Sequence, residues 1–386
     1  MKLKTSLGLV LLLLFHFSLH AQEEKEWTWE AGGYVKYLQS TTFYGIVDLA
    51  PTTNNLIHHR LNLSAENQNG WRIGIGMRNR LFFGEEVKLQ ANYADQIDPQ
   101  LGLVDLSFRW IDDPAFVGQT IFDRAYLNYS KGDWDVTLGR QRINWGMTLV
   151  WNPNDLFNAF NYLDFDYEER PGSDAIRVQY FTGLLSRAEV AFSPARNMRE
   201  SIGAGLYSFN LKGYDVQVLA GYFQGDLSLG AGWAGAIGGS GFKGELTYYV
   251  PTPSSISPRV FAGTLMLDQQ FGTVYTSAAV LYNSRIISAE GVQGGIIGGQ
   301  LSPKNLFPSK WAGFIQASWQ ASPIFTVSMG SLMGSQDKQV ILLPGAAYSI
   351  SENWDLDLVG QVFLGEFTEK FQHIGSGMFL RLKWSY

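Results

Sequence analysis

Apolar and polar residues alternate along most of this chain with a period of two. In residues 71–78, WRIGIGMR, Trp71, Ile73, Ile75 and Met77 fall on one face, and Arg72, Gly74, Gly76 and Arg78 on the other. Such a period belongs to strands with one apolar side and one wet side. Residues 57–66 set Ile57, Leu61, Leu63 and Ala65 against His58, Arg60, Asn62, Ser64 and Glu66, with His59 interrupting the apolar side. Further on, Phe242, Leu246, Tyr248 and Val250 oppose Lys243, Glu245, Thr247 and Tyr249. The last nine residues, MFLRLKWSY, place Met378, Leu380, Leu382, Trp384 and Tyr386 opposite Phe379, Arg381, Lys383 and Ser385.

Short turn signals recur at 67–70, 131–133, 211–213 and 351–353, whereas longer connections lie near 41–56, 143–173, 251–259 and 283–310. Tight turns on one side and long loops on the other are the pattern of a transmembrane antiparallel β-barrel. The tally is about nineteen strands, and strict alternation fails between residues 83 and 121. A barrel with both ends on the same side of the membrane needs an even number. The expectation is therefore all-β with about 18 strands, 16 being the alternative, one strand in 83–121 being misread. No plug domain is expected, because the first strand begins near Trp27.

The N-terminus differs. Lys2 and Lys4 precede an apolar run from about Leu7 to Phe17, which gives way to QEEKEW. That is the anatomy of a secretory signal, too short to cross a bilayer as a helix. Residues 1–22 are thus expected to be a signal peptide and residues 23–386 the barrel, with a long loop at about 143–173. The formal net charge is −6, and more negative without Lys2 and Lys4, so there is no electrostatic footprint for nucleic acid. The absence of cysteine removes disulfides, lipidated cysteine and thiolate metal sites. Aromatic residues near strand ends, among them Trp71, Trp110, Tyr129, Trp134, Trp354 and Trp384, suit interfacial girdles. A soluble β-sandwich would alternate as well. The number of amphipathic strands without a domain break favours the barrel, whose closure leaves no edge unpaired in lipid.

The terminal strand ending at Tyr386 is similar to the one that bacterial barrel-assembly machinery recognises, which makes that machinery the implied partner. The segments LGRQRINWG and NPNDLF resemble porin-type outer-membrane barrels of the Bacteroidota, loosely like the alginate-export group. The resemblance covers about twenty residues and implies a bacterial outer-membrane location; it carries no substrate with it.

The stretch 139–177 is the richest in chemistry. Its alternation would put Arg140 and Arg142 on the lipid side with Trp134, Val136 and Leu138, at about 2 to 4 kcal/mol for an arginine near the midplane. A bulge at Gly139, or a strand end there, is expected to turn both toward the lumen or mouth; two arginines snorkelling to the headgroups are the alternative. The loop then offers Asp164, Asp166, Glu168 and Glu169. The expectation is that it folds inward as a constriction, its carboxylates facing Arg140 and Arg142, with Arg124, Arg177 and Arg187 as further candidates. A solvated extracellular loop is the bland alternative. Trp145 and Trp151 are candidates for stacking on a solute, or else rim anchors.

No metal or cofactor is expected; a loop Ca²⁺ at Asp164, Asp166 and Glu168 remains the minor alternative. Beyond residue 22 the chain holds only His58, His59 and His373. A hydrolase needs a histidine beside its nucleophile, and six residues of strand separate His58 from Ser64, so the chain is not expected to be an enzyme. The expected function is passive diffusion of small hydrophilic solutes through a water-filled lumen. A channel selective for saccharides or organic anions is the first alternative and an outer-membrane hydrolase the second. A homo-oligomer is left open. GAGWAG at 230–235 matches a dinucleotide fingerprint only formally, and its glycines are expected to serve close packing on the wall.

Overall fold

The computed structural model describes residues 27–98, 102–159, 161–164, 166, 170, 172–253, 255, 257–286, 302–336 and 338–386. The segment expected as a signal peptide, together with Glu168 and Glu169, lies outside the described residues. The strands open with β1 (Trp27–Tyr44), β2 (Thr52–Asn67), β3 (Trp71–Gly84), β4 (Ser107–Asp113), β5 (Phe116–Lys131) and β6 (Trp134–Gln141). They continue as β7 (Ser173–Gly183), β8 (Ser186–Ser193), β9 (Ile202–Leu211), β10 (Tyr214–Phe223), β11 (Asp226–Ile237) and β12 (Ser240–Pro251). The last are β13 (Val260–Phe271), β14 (Val274–Asn283), β15 (Trp311–Ser322), β16 (Phe325–Gly334), β17 (Val340–Ser351), β18 (Trp354–Phe367) and β19 (Lys370–Ser385).

Each strand pairs antiparallel with its sequence neighbours, and β1 closes on β19 from Tyr34 opposite Ser385 to Tyr44 opposite Gly375. The exception is β4. β3 pairs directly with β5, from Trp71 opposite Tyr129 to Phe83 opposite Phe116. β4 joins only the upper part of β5, above the level at which β6 ends. Eighteen strands therefore close the wall, and β4 is an accessory hairpin arm. This is the strand that broke the alternation between 83 and 121. It comes with two helical turns, Glu85–Leu89 and Tyr93–Gln96, which pack Val87 and Ala94 onto Leu38, Leu56 and Phe82.

The period-two pattern works as hydrophobic sorting. Outward positions such as Leu138, Val190, Leu229, Ile315, Leu358 and Leu380 are exposed, while inward Arg60, Gln119, Glu245 and Thr247 are buried within the barrel. An exposed apolar belt around a wet interior is stable in hydrocarbon and unstable in water. At the tight-turn end, Trp71 lies against Tyr129, Trp134 against Tyr180 and Trp354 against Trp384, in the positions of an interfacial girdle.

The polar lapse at His59 has a cause at the seam. The ring of Tyr386 fills a notch above Gly33, where any Cβ would meet the Arg60 carbonyl oxygen at 2.1 Å and the Tyr386 hydroxyl at 2.9 Å. That hydroxyl bonds the His59 ring at 2.8 Å and donates to the Arg60 carbonyl at 3.2 Å, while Asn79 holds the other ring nitrogen of His59 at 3.0 Å. A histidine on the outer face is tolerated because both nitrogens are satisfied. Tyr386→Phe should cost about 0.5–1.5 kcal/mol at the seam. It should lower the temperature at which the folded barrel loses its compact gel mobility, with channel properties unchanged.

Candidate functional site: a lumen partly lined by an inward loop

β6 stops after eight residues, and the chain leaves the wall at Arg142 to run around the inside of the barrel until it rejoins at Ser173. Wall residues far apart in sequence receive it in order. Trp145 Nε1 donates to Glu189 on β8 at 2.8 Å, and Gln217 on β10 donates to the Trp145 carbonyl at 2.6 Å. Glu245 on β12 is the main staple. Its carboxylate accepts from the Met147 amide at 2.5 Å, the Thr148 amide at 2.8 Å, Asn152 Nδ2 at 2.9 Å and the Asn154 amide at 3.1 Å. Thr247 and Tyr249, next on the same face, donate to the Pro153 carbonyl at 2.9 and 3.0 Å. Tyr162 then reaches Gln316 on β15, and Gln361 on β18 donates to the Leu163 carbonyl. Finally Asp166 pairs with Lys36 on β1 at 2.7 Å and lies 3.6 Å from Arg381 on β19.

The glycines of GAGWAG make this path possible. A Cβ at Gly230 would sit 2.7 Å from Asn154 Oδ1, and one at Gly232 would sit 2.9 Å from Asn154 Nδ2 and 3.0 Å from Met147 Sδ. The loop lies flat on β11 where the wall has no side chain. Beside it, Ile143, Trp145, Leu156 and Phe157 pack on the small wall residues Ala175, Ala191 and Ala204. Val150, Trp151 and Leu163 pack on Leu281, Phe314, Leu332 and Ile341, with Leu306 and Phe307 of the β14–β15 connection over them. The loop thus buries an apolar stripe of the inner wall from β7 to β17.

The residues singled out in the sequence scatter over this frame. Trp145 and Trp151 are 2% and 3% exposed, held edge-on against Phe157 and Phe307. The expectation that they stack on a solute is corrected: both are core of the folded loop. Arg140 is also corrected. Gly139 adopts φ +114°, but the β6–β7 register runs on without a shift, with Arg140 opposite Asp174. Its guanidinium pairs with Asp174 at 2.7 and 3.0 Å and donates to the Phe122 and Val104 carbonyls, so it lies sealed under segment 102–106 and away from the open lumen. Arg177 and Arg187 share Glu189, at 2.7 and 3.4 Å. Arg124 donates to the Asp123 and Arg170 carbonyls, each at 2.7 Å.

Of the loop carboxylates, Asp164 and Asp166 lie on the lumen side, and the cations facing them are others. Asp166 meets Lys36 and Arg381, and Arg381 also pairs with Asp357 at 2.9 Å. Asp164 is open to the lumen but enclosed by the barrel wall around it. Enclosure and the neighbouring Asp166 push its carboxyl up to about 6, against the pull of Lys36 and Arg78. At the loop root Asp155, fully buried, pairs with Arg170 at 3.0 Å. Burial pushes Asp155 up to about 7 and lowers the Arg170 guanidinium from its usual value.

Lys36, Arg78 and Arg381 were missed because register alone brings them together. Across β1, β2 and β3 the inward rows read Lys36, His58, Arg80 and then Tyr34, Arg60, Arg78. A bulge in β5 between Phe122 and Arg124 turns Asp123 into this panel, where Arg60 grips it at 2.8 and 3.2 Å and Arg78 lies at 3.5 Å. Below, toward the tight turns, a cavity of about 700 Å³ lies against the bare wall from β1 to β7, with Arg60, Arg72, Arg124, Arg142 and Arg177 in its lining. No group of three potential metal ligands occurs among the described residues. His373 bonds Ser376 Oγ at 2.6 Å, an arrangement that by itself lacks the third group of a triad.

No family model matches the chain, and no curated protein matches it. Solved structures do. OccAB4 of Acinetobacter baumannii superposes with a TM-score of 0.62 at 6% identity, over 95% of this chain and all of that one. OpdK of Pseudomonas aeruginosa gives 0.58 at 8%, over 92% and 99%; it has also been solved with vanillate. A BenF-like porin from Pseudomonas fluorescens gives 0.58 at 9%, over 93% and 99%. The chain thus has the closed 18-strand fold of these outer-membrane porins.

Proposed function

We propose that this protein is an outer-membrane porin that lets small hydrophilic solutes diffuse passively between the outside and the periplasm. The observation that carries this is a closed barrel with an apolar exterior, whose inner wall is sealed by the loop on one side and left polar and charged on the other. Solutes would pass the Asp164–Asp166 edge of the loop facing Lys36, Arg78 and Arg381, then the arginine-lined cavity. Opposed charges across a narrow path orient polar solutes and disfavour apolar ones. The short-turn end carries both chain termini of the described barrel and is assigned to the periplasm, with the strand ending at Tyr386 presented to the assembly machinery.

A selective channel for organic anions is the second reading, favoured by the arginines of the cavity and in keeping with the vanillate bound by OpdK. Planar-bilayer recording tests the first reading: the purified chain should give ohmic conductance steps, and their absence would overturn it. Asp164→Asn with Asp166→Asn should shift reversal potentials in a KCl gradient toward anion permeation. Unchanged potentials would remove that edge from the solute path. Saturable block by one class of organic anion, absent with neutral sugars, would establish the second reading.

A further inference from the structure

Five guanidiniums line the cavity beneath the loop, and their surroundings divide them. Arg60 is bound bidentately by Asp123, Arg72 pairs with Glu66 at 2.5 Å, and Arg177 pairs with Glu189 at 2.7 Å. Arg124 keeps its charge but is half-buried and tied down by two carbonyl oxygens. Arg142, the first residue beyond β6, is exposed to the cavity and makes no ion pair among the described residues. A guanidinium held by a carboxylate is fixed in direction and its charge is at least partly cancelled; an exposed one without an ion pair can turn to meet a passing ion with its full charge.

We propose that Arg142 determines which ions this lumen favours, serving as an exchangeable binding point for the oxygens of a small carboxylate or phosphate, or for a halide. The inference rests on the channel reading and names the residue within it that selects. The position suits the role. Arg142 stands where the loop leaves the wall, so a solute that has cleared the loop edge meets it on entering the cavity. Farther along the same wall, at the levels of Gly139, Thr137 and Asp135, the lining turns to the neutral groups Tyr126, Asn128 and Gln179. The carboxylates of the lining, Glu30 as the fourth residue of β1 and Asp135 as the second of β6, both lie toward the tight-turn end, while the carboxylate nearer Arg142, Asp155, is fully buried and held by Arg170. An anion held at Arg142 remains exchangeable, because the side chain keeps its access to water.

The chain has no cysteine, so Arg142→Cys creates a unique thiol in a working channel. Chloride-to-potassium permeability, from reversal potentials in a KCl gradient, should fall at least about threefold in Arg142→Cys, as expected when a fixed charge stops concentrating counter-ions. Treating the same channels with 2-aminoethyl methanethiosulfonate, which restores a positive charge, should bring the ratio back; methyl methanethiosulfonate, which is neutral, should not. Inorganic phosphate added to one side should slow chloride current in the parent and not in the unmodified cysteine channel. Lys131→Gln, which removes a positive charge in the periplasmic turn, should leave the ratio unchanged. A cysteine channel with the parent ratio, or equal rescue by both reagents, overturns the proposal while leaving the porin reading intact. If Arg142→Cys does not assemble, Arg142→Gln and Arg142→Lys separate the same outcomes: only the lysine channel should keep the parent ratio, and a glutamine channel that also keeps it overturns the proposal. A parent with no conductance at all would refute the porin reading itself.

Discussion

Glu245→Ala should convert a quiet channel into a noisy one of larger unit conductance. The carboxylate holds four donors, three of them backbone amides at Met147, Thr148 and Asn154, which lose their acceptor if the carboxylate is removed. Orphaning buried donors of a charge-assisted cluster costs about 3–5 kcal/mol in total, less than the sum of the single bonds because they share one acceptor. The barrel itself should hold. β12 keeps its ladders to β11 and β13, whose register does not involve the side chain. The expected outcome is therefore a wall with nearly unchanged thermal stability by gel mobility, and a loop that leaves the lumen for part of the time. Glu245→Gln should be intermediate, since an amide presents one acceptor oxygen and one donor to the same amides. A Glu245→Ala channel with parental conductance and noise would mean that the apolar stripe under Trp145 and Trp151 holds the loop without help.

The second large effect is in pH. Asp155 is pushed up to about 7 by burial, against the opposing pull of Arg170 and, more weakly, of Arg142, with Glu245 adding to the rise. In a loop released into water the same carboxyl would titrate at about 3.9. The sign follows from proton uptake. Between those two values the packed loop binds a proton that the released loop does not, so acidification favours packing, by up to about 1.4 kcal/mol per pH unit. Lowering the pH from 8 to 5.5 should quieten the channel and reduce its mean conductance, even though protonation removes one side of the ion pair with Arg170. The lowered Arg170 guanidinium agrees: burial of this pair costs more than its attraction returns. Asp155→Asn should be quiet at every pH. Asp164 titrates nearby, at about 6, but faces the path, so its protonation should appear as altered ion selectivity and not as loop noise. If Asp155→Asn kept the full pH dependence of noise, the switch would lie elsewhere.

The barrel was legible in the sequence because one physical rule, apolar out and wet in, repeats every second residue along strands such as Trp71–Gly84 and Lys370–Ser385. So was the inward turn of a long aromatic loop carrying carboxylates. Its partners were not. Cross-strand neighbours are fixed by register, and the sequence pattern fixes phase without fixing register. Thus Lys36, Arg78 and Arg381, spread over 345 positions of the chain, become one facing wall only on closure. The two tryptophans read as exposed binding groups because aromatic residues at a rim and aromatic residues in a loop core have the same composition; only burial tells them apart.

What the chain determined by itself is the sidedness of its spanning strands, and their number to within one hairpin, since hydrocarbon on one face and water on the other leave a strand no choice of orientation. Only the tertiary structure decided which charges are spent and which remain: Arg140 is consumed by Asp174 and Arg60 by Asp123, while Arg142 is left facing water. Pairing depends on distances of a few ångströms between residues far apart in sequence, and those distances exist only once the sheet has closed.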